Sequence, residues 1–205
     1  MRHGASAHAV PGRPFDLLDG HADPPLAPEG EEQARALARR LDGQPIDGLF
    51  VTPLQRTAQT AAPLAAATGM EPVVIPELRE VLLGDWEGGE LRIRAAQGDP
   101  LFWRILEEER WDVIPNAEPA EQFAARVERG LEKIVAAAGP DASVVAVLHG
   151  GVIGAICRQA TSSRPFAFVH SDNCSISRLV VMDGGRQLLR TFNDTAHLER
   201  AGSGS

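Results

Sequence analysis

The sequence predicts an α/β protein, a three-layer α/β/α sandwich with a mostly parallel central sheet and helices on both faces. Two observations predict this class. Short apolar runs alternate with amphipathic helical patterns, which is typical of parallel strands connected by helices. The run at residues 143–148 is apolar and rich in β-branched side chains, as expected for a central strand buried on both faces. A chain of 205 residues, 43% of them hydrophobic, fits one domain spanning residues 1–205.

The first half of the chain is predicted to supply two helices and two strands. The first helix is expected to begin at Pro28, with acidic residues in its first turn that complement the helix dipole, and to end at Gly43. Its apolar residues recur at i, i+3, i+4 and i+7, so one face is buried. Residues 7–25 show no hydrophobic periodicity and are expected to form a loop. The other predicted elements of this half are a strand at 46–52, a helix at 53–68 and a strand at 71–75.

The second half begins with an irregular segment. Residues 77–88 mix carboxylates, a tryptophan and glycines at no regular period, which predicts a loop. Residues from about 85 to 120 are predicted to form a helical insertion over the edge of the sheet, with a helix starting at Asp99-Pro100, and we expect this insertion to act as a substrate lid. The remaining predicted elements are a helix at 118–138, the strand at 143–148, a helix at 152–160, hairpin strands at 175–182 and 186–192, and a flexible end at 201–205.

Composition and charge argue against several classes of partner. The net charge is −8 and the pI is near 5.2, so the average field repels nucleic acid and anionic membranes. A phosphate site in such a chain must be a local cluster of cations. The longest uncharged apolar run, residues 143–157, is shorter than the ~20 residues that a membrane span needs. The two cysteines, Cys157 and Cys174, show neither a disulfide framework nor a metal-ligand spacing, so we expect a cytoplasmic protein without a metal site.

The strongest candidate for an anion site lies at the beginning of the chain, in Arg2-His3-Gly4 with Ser6 close behind. An arginine binds phosphate oxygens through parallel N–H groups, and a glycine lets the backbone come close to the anion. A second histidine, His149, follows the strand at 143–148 and precedes Gly150 and a helix. Because open α/β sheets bind ligands at the carboxyl ends of their strands, this position favours a functional site.

Other candidates have alternatives that fit the sequence as well. Arg56 falls in the first turn of the helix after the first predicted strand, where it either binds a ligand or lies on an exposed helix face. Glu80 has leucine and valine neighbours, which would desolvate it and favour the protonated form that a general acid needs, but an ordinary exposed glutamate is the alternative. Candidates for the rim of a site, or solvated loop residues, are His8, Arg13 and His21.

Five motifs occur in order along nearly the whole chain. They are Arg2-His3-Gly4, Leu26-Ala27-Pro28-Glu29-Gly30 with Gln33-Ala34, Thr52-Pro53-Leu54-Gln55-Arg56-Thr57-Ala58-Gln59-Thr60-Ala61, Leu78-Arg79-Glu80 through Gly84-Asp85-Trp86-Glu87-Gly88, and His149-Gly150-Gly151. Any one of them is weak, but five in this order are far more specific. Together they resemble the histidine phosphatase superfamily, the phosphoglycerate mutase-like proteins.

The resemblance implies a metal-independent phosphomonoesterase that needs no cofactor and acts on a small phosphorylated metabolite. His3 would attack the phosphorus, and Glu80 would protonate the departing oxygen and later take a proton from water. The ligands of the equatorial phosphoryl oxygens would be Arg2, Arg56 and His149. Further candidates for substrate contacts are Ser6, Arg13 and Gly150.

Three departures from the family pattern matter. The family's first motif ends a central strand, whereas Met1 alone precedes it here, so we expect a first strand to be missing from the sequence. Ala9 replaces a common asparagine, which removes one phosphate contact. The second histidine continues as His149-Gly150-Gly151 and lacks the Gly-Asn-Ser that usually follows in mutases, which favours a phosphatase.

Two other functions stay open at this point. A cofactor-dependent phosphoglycerate mutase would use the same residues to move phosphate between hydroxyls. A non-catalytic phosphate-ester-binding module would keep the fold, but its expected mark, the loss of His3 or Glu80, is absent. The sequence identifies neither the phosphomonoester nor the oligomeric state, for which a homodimer is one option.

Overall fold

The computed structural model describes residues 1–199, so the flexible end predicted at 201–205 lies outside the described residues. The helices are α1 (Pro28–Leu41), α2 (Gln55–Thr68), α3 (Glu90–Gln97), α4 (Pro100–Glu108), α5 (Ala120–Ala138) and α6 (Gly150–Thr161). The strands are β1 (Leu17–Leu18), β2 (His21–Ala22), β3 (Gly48–Val51), β4 (Val73–Val74), β5 (Val144–Ala146), β6 (Ile176–Val181) and β7 (Gln187–Asp194). Short 3-10 turns connect several of them.

The central sheet is parallel, with the strand order β4-β3-β5. Its register pairs Phe50 of β3 with Val73 of β4 on one side and with Ala146 of β5 on the other. The final hairpin predicted around residues 183–185 is confirmed, because β6 and β7 pair antiparallel across that turn.

The first residues of the chain extend this sheet beyond β5. Arg2 forms a parallel bridge with Leu148, and the backbone nitrogen of His3 donates to the carbonyl oxygen of Leu148 at 2.9 Å. On the opposite side, the backbone nitrogen of Cys174 donates to the carbonyl oxygen of Arg2 at 3.1 Å. Residues 1–3 therefore lie next to β5 in the sheet.

Side chains alternate along β3 and build a core on each face of the sheet. Leu49 and Val51 belong to a buried cluster with α1 and α2, whereas Phe50 belongs to a separate buried cluster with α5 and α6. This alternation is the period of two that a strand imposes on its side chains. The predicted α/β/α sandwich is therefore confirmed, with helices packed on both faces of a parallel sheet.

Two regions contain elements that the sequence analysis did not place. The loop expected at residues 7–25 includes the β1–β2 hairpin, whose turn residues Asp19 and Gly20 have φ angles of 49° and 83°. An Asp-Gly turn of this kind is a strong hairpin signal, so the pure-loop prediction was wrong here. The helix α3 was also not predicted, because its sequence has weak periodicity and none of its residues is buried.

The segment at about 85–120 packs around an apolar cluster of its own, which includes Trp86, Ile105 and Ile114. The two ends of this segment meet where the backbone of Gly84 runs close to residues 115–117. Gly84 has a φ of 54°, and a Cβ there would lie 2.3 Å from the carbonyl oxygen of Pro115. Only glycine fits such a position. Within residues 1–199, none of the helices is both long enough and apolar enough to cross a membrane.

Candidate active site

His3 lies at the carboxyl end of the central sheet and is 4% exposed. Its Nδ1 is 2.7 Å from the carbonyl oxygen of Gly4. Because a carbonyl oxygen can only accept, Nδ1 of the neutral ring carries the proton and Nε2 keeps a free lone pair. Asn173 holds the backbone, since its Nδ2 donates to the carbonyl oxygen of His3 at 2.9 Å. The imidazole is thus oriented with its nucleophilic nitrogen unprotonated.

Gly4 is required by a close approach to α1. A Cβ on Gly4 would lie 2.6 Å from the carbonyl oxygen of Gly30. The backbone nitrogen of Gly4 donates to Thr60 Oγ1 at 2.9 Å, which ties the first motif to α2. The sequence suggested that Gly4 lets the backbone approach an anion, but in the structure Gly4 lets the backbone approach α1.

His149 caps the amino end of α6 and is fully buried. Its ring centroid is 5.3 Å from that of His3, so the two predicted histidines lie next to each other. Nε2 is 2.9 Å from Thr52 Oγ1, whereas Nδ1 is buried and has no hydrogen-bond partner within the described residues. The hydroxyl of Thr52 can donate to Nε2, and Nδ1 then carries a proton that is available to a ligand.

Arg2 directly precedes His3, and its guanidinium lies near the amino end of α6. One of its terminal nitrogens donates to the carbonyl oxygen of Ser171, and its Nε is buried without a partner among residues 1–199. Gly150 leaves room beside the guanidinium, because a Cβ there would be 3.7 Å from Arg2 Nε. Arg2 and Gly150 therefore contact each other at the amino end of α6.

Arg56 is 7% exposed, so the alternative of an exposed helix face does not hold. Its Nη1 donates to the carbonyl oxygen of Ala22 at 2.8 Å and lies 3.9 Å from the carboxylate of Asp23. The β2 strand and the residue after it thus fix this guanidinium at the first turn of α2.

Glu80 reaches the same end of α6 from its own loop. Oε2 accepts from the backbone nitrogen of Gly151 at 3.1 Å, and Oε1 accepts from the backbone nitrogen of Val81 at 3.0 Å. Gly151 has no room for a side chain, because a Cβ would lie 2.6 Å from Glu80 Oε1. The carboxylate is therefore held at a fixed position, half-buried, beside the residues that follow His149.

The loop that carries Glu80 is held in turn by Arg126 of α5. This guanidinium donates to the backbone carbonyl oxygens of Glu77, Arg79 and Glu80 at 2.7 to 2.8 Å. It also pairs with both carboxylate oxygens of Glu118, at 2.6 and 2.7 Å. Such a planar, forked arrangement is specific to arginine. Sequence reasoning missed Arg126, because in the sequence it looks like any arginine on the surface of a helix, and only the folded structure shows these contacts.

The charges of the cluster favour an anion. Burial, followed by the guanidiniums of Arg56 and Arg2, holds the pKa of His3 well below its ordinary value. Burial and then the charge of Arg56 lower the pKa of His149 in the same way. Burial also lowers the pKa of Arg2 and of Arg56, with Glu80 acting against it, but an arginine stays charged at any physiological pH. Two neutral imidazoles thus lie beside two permanent cations.

Two of the further candidates differ in their placement. Ser6 is buried, and its hydroxyl accepts from Arg92 of α3 at 2.9 Å, so it connects the cluster to the insertion. Arg13 is exposed in a turn closed by a bond from its backbone nitrogen to Val10, and no side-chain hydrogen bond or ion pair joins it to the cluster within residues 1–199. The structure therefore does not bring Arg13 to the site.

Sequence reasoning also missed Thr52 and Ser171. Thr52 directly follows β3 and contacts His149, and a polar residue at the carboxyl end of a strand was a usable signal. Ser171 follows no such pattern and is brought to Arg2 by packing alone. Among the described residues, no group of three or more His, Cys, Asp or Glu side chains is arranged to hold a metal ion.

Comparison with known proteins gives consistent matches along the chain. The family model of the histidine phosphatase superfamily (branch 1) matches residues 1–195. Phosphoglycerate mutase-like protein 4 of Arabidopsis thaliana is 29% identical over 207 residues, covering 98% of this chain and 86% of that protein. The crystal structure of the alpha-ribazole phosphatase from Shigella flexneri has a TM-score of 0.74 at 26% identity, covering 95% of this chain and 94% of the other. Phosphoglycerate mutase from Bacillus anthracis shares the fold, with a TM-score of 0.77 at 24% identity over 96% of this chain and 92% of the other.

The matched residues include all five motifs and every member of the cluster described above. The resemblance predicted from those motifs is confirmed, because the family model extends over nearly the entire chain. This protein therefore belongs to branch 1 of the histidine phosphatase superfamily.

Proposed function

We propose that the protein hydrolyses a small phosphomonoester through a phosphohistidine on His3, with Glu80 as general acid and base. Arg2, Arg56 and His149 hold the phosphoryl oxygens, and the reaction needs neither a metal ion nor a cofactor. Free, buried cysteines support a cytoplasmic location for this activity.

One observation carries the proposal: two buried donors beside His3 have no partner. They are Arg2 Nε and His149 Nδ1, which belong to the residue before His3 and to the histidine whose ring centroid lies 5.3 Å from that of His3. A buried donor without a partner costs about 1–3 kcal/mol, so a ligand that accepts hydrogen bonds is strongly favoured there. A phosphoryl group presents such acceptors and the negative charge that the guanidiniums attract.

In the first step, His3 Nε2 attacks phosphorus in line with the departing oxygen. The P–N bond forms while the P–O bond to the alcohol breaks, and Glu80 gives its proton to that oxygen. The negative charge that builds up on the other oxygens is stabilised by Arg2, Arg56 and the Nδ1 proton of His149.

In the second step, water attacks the phosphohistidine. Glu80, now a carboxylate, takes a proton from the water, the new P–O bond forms and the P–N bond breaks, which returns His3 to its neutral form. The hydrogen bond from Gly151 to Glu80 keeps the carboxylate near the position that both steps require.

The test is phosphate release over a panel of phosphorylated metabolites, with His3→Ala as the blank and His170→Ala, an exposed histidine outside the cluster, as the matched control. We expect an acid-labile phosphoryl label in the wild type and in His170→Ala but not in His3→Ala, and rates unchanged by a chelator.

Three results would contradict the proposal: full activity in His3→Ala, loss of activity on chelation, or tight ester binding without turnover. Transfer of phosphate between two hydroxyls of a phosphoglycerate, faster than release of free phosphate, would identify a mutase instead.

A further inference from the structure

A third histidine, His21, is buried beside the cluster and has no part in the mechanism above. It belongs to β2 and is 8% exposed. Its Nδ1 lies 3.2 Å from the carbonyl oxygen of Asp19, and its Nε2 is buried without a hydrogen-bond partner among residues 1–199. Buried polar atoms without partners are uncommon in native proteins because they cost free energy, so a ligand group that hydrogen-bonds to this one would be favoured.

The hairpin that carries His21 is fixed to the candidate active site at two points. The carbonyl oxygen of Ala22, the next residue, accepts from Arg56 Nη1 at 2.8 Å. On the other side of the turn, the carboxylate of Asp19 accepts from Arg79 Nη1 at 2.6 Å, and Arg79 directly precedes Glu80. His21 therefore lies between a proposed phosphate ligand and the loop of the proposed general acid.

The proposed reaction places the leaving alcohol on the side of the site where Glu80 lies. In the proposed reaction the departing oxygen lies between phosphorus, which Arg56 approaches, and the carboxyl group of Glu80. An alcohol that leaves toward Glu80 therefore leaves on the side of the site that the hairpin of His21 borders.

The ring of His21 is set to accept a hydrogen bond. The carbonyl oxygen of Asp19 can only accept, so Nδ1 of the neutral ring carries the proton and Nε2 is an acceptor. A hydroxyl or an amine on the ligand satisfies such an atom, whereas an alkyl group leaves it unpaired and a carboxylate offers no proton.

We propose that His21 is a specificity-determining residue whose Nε2 accepts a hydrogen bond from the leaving alcohol, so that the substrates are monophosphates of polyols or amino alcohols. The inference rests on the proposed function, because it assigns the direction in which the alcohol leaves. It goes further in naming the chemical group that the substrate carries beside its ester.

The experiment compares three competitors of p-nitrophenyl phosphate hydrolysis, so that inhibition reports binding even for an ester that is not turned over. They are glycerol 3-phosphate, n-propyl phosphate, which lacks the hydroxyls, and 3-phosphonooxypropanoate, which has a carboxylate instead. We expect glycerol 3-phosphate to bind the wild type about tenfold more tightly than n-propyl phosphate, the factor of one buried hydrogen bond.

Three variants sharpen the comparison. In His21→Asn, the amide nitrogen replaces Nδ1 and can still donate to Asp19, but Nε2 is gone. The preference for glycerol 3-phosphate over n-propyl phosphate should therefore disappear. In His21→Gln, the amide oxygen lies near the position of Nε2, so part of the preference should return. His170→Asn, at an exposed position outside the site, should keep the wild-type ratio.

If the wild type binds glycerol 3-phosphate and n-propyl phosphate equally well, the inference is overturned whether or not the variants fold. The inference is also overturned if wild type and His21→Asn show the same preference for glycerol 3-phosphate. Tightest binding by the carboxylate ester also overturns it, since Nε2 would then be a donor. Absence of phosphate release by the wild type from every ester tested, p-nitrophenyl phosphate included, is a different result, because it refutes the proposed function itself.

Discussion

Gly151→Ala tests how closely the activity depends on the position of Glu80. The added Cβ would lie 2.6 Å from Glu80 Oε1, whereas ordinary contacts begin at 3.4 Å, so the carboxylate must retreat by about 0.8 Å. This movement stretches or breaks the hydrogen bond from the backbone nitrogen of Gly151 to Oε2, now 3.1 Å. Since a misplacement of about 1 Å can cost about 10²-fold in rate, we expect kcat to fall by about 10- to 100-fold, or about 1.4–2.7 kcal/mol.

The same substitution should not unfold the protein. Gly151 lies in the first turn of α6, where alanine is favoured over glycine by up to about 1 kcal/mol, and the atom it displaces is the end of a flexible side chain. The assay is kcat from phosphate release together with the thermal midpoint Tm, and we expect a lower kcat with an equal or higher Tm.

Glu80→Ala provides the matched background. Without a carboxylate to displace, Gly151→Ala should have no further effect on the residual rate, so the two substitutions should be strongly non-additive. An unchanged kcat in Gly151→Ala, or the same proportional loss in the Glu80→Ala background, would refute the reasoning.

The other predictions concern the residues that hold this site and its response to pH. Arg126→Met should lower the free energy of unfolding in urea by about 3 kcal/mol, because it leaves the half-buried Glu118 carboxylate without its cation and three carbonyl oxygens without their donor. Arg126→Lys should recover only part of this stability. Equal stability of the wild type and both variants would contradict the prediction. Thr52→Val should reduce kcat/KM about tenfold, because it removes the hydroxyl that sets the tautomer of His149. Thr52→Ser keeps that hydroxyl and should keep most of the activity. A valine variant as active as the serine variant would count against this role of Thr52. The pKa values of His3 and His149 are lowered in the folded protein, so the unfolded chain binds more protons than the folded one below pH 6.5. The stability that these histidines contribute is therefore complete above that pH, and each contribution falls by about 1.4 kcal/mol per pH unit as the pH drops toward the folded pKa. The free energy of unfolding, measured in urea as a function of pH, checks this, and a His149→Asn variant with the wild-type slope would refute it.

The sequence by itself closely predicted four of the six helices within residues 1–199 and named Arg2, His3, Arg56, Glu80 and His149 as candidate site residues. Periodicity placed α1, α2, α5 and α6 within a few residues of their observed bounds, because burying one face of a helix or strand leaves a repeating apolar pattern. The motifs put His3 and His149 together, since both follow or end elements of one parallel sheet whose carboxyl ends share an edge. The Asp19-Gly20 turn was also readable and was overlooked.

Only the tertiary structure showed which contacts hold the site in place and which predicted residues lie outside it. The contact of Thr52 with His149 spans 97 positions of the chain, and that of Arg2 with Ser171 spans 169. The approach of Gly4 to Gly30 is likewise made by the packing of α1 against the first motif. Such contacts have no periodic signature, because they depend on how whole elements pack rather than on the spacing of residues within one. Packing also decided that Arg13 is exposed and His21 is buried, although both belong to the same predicted loop.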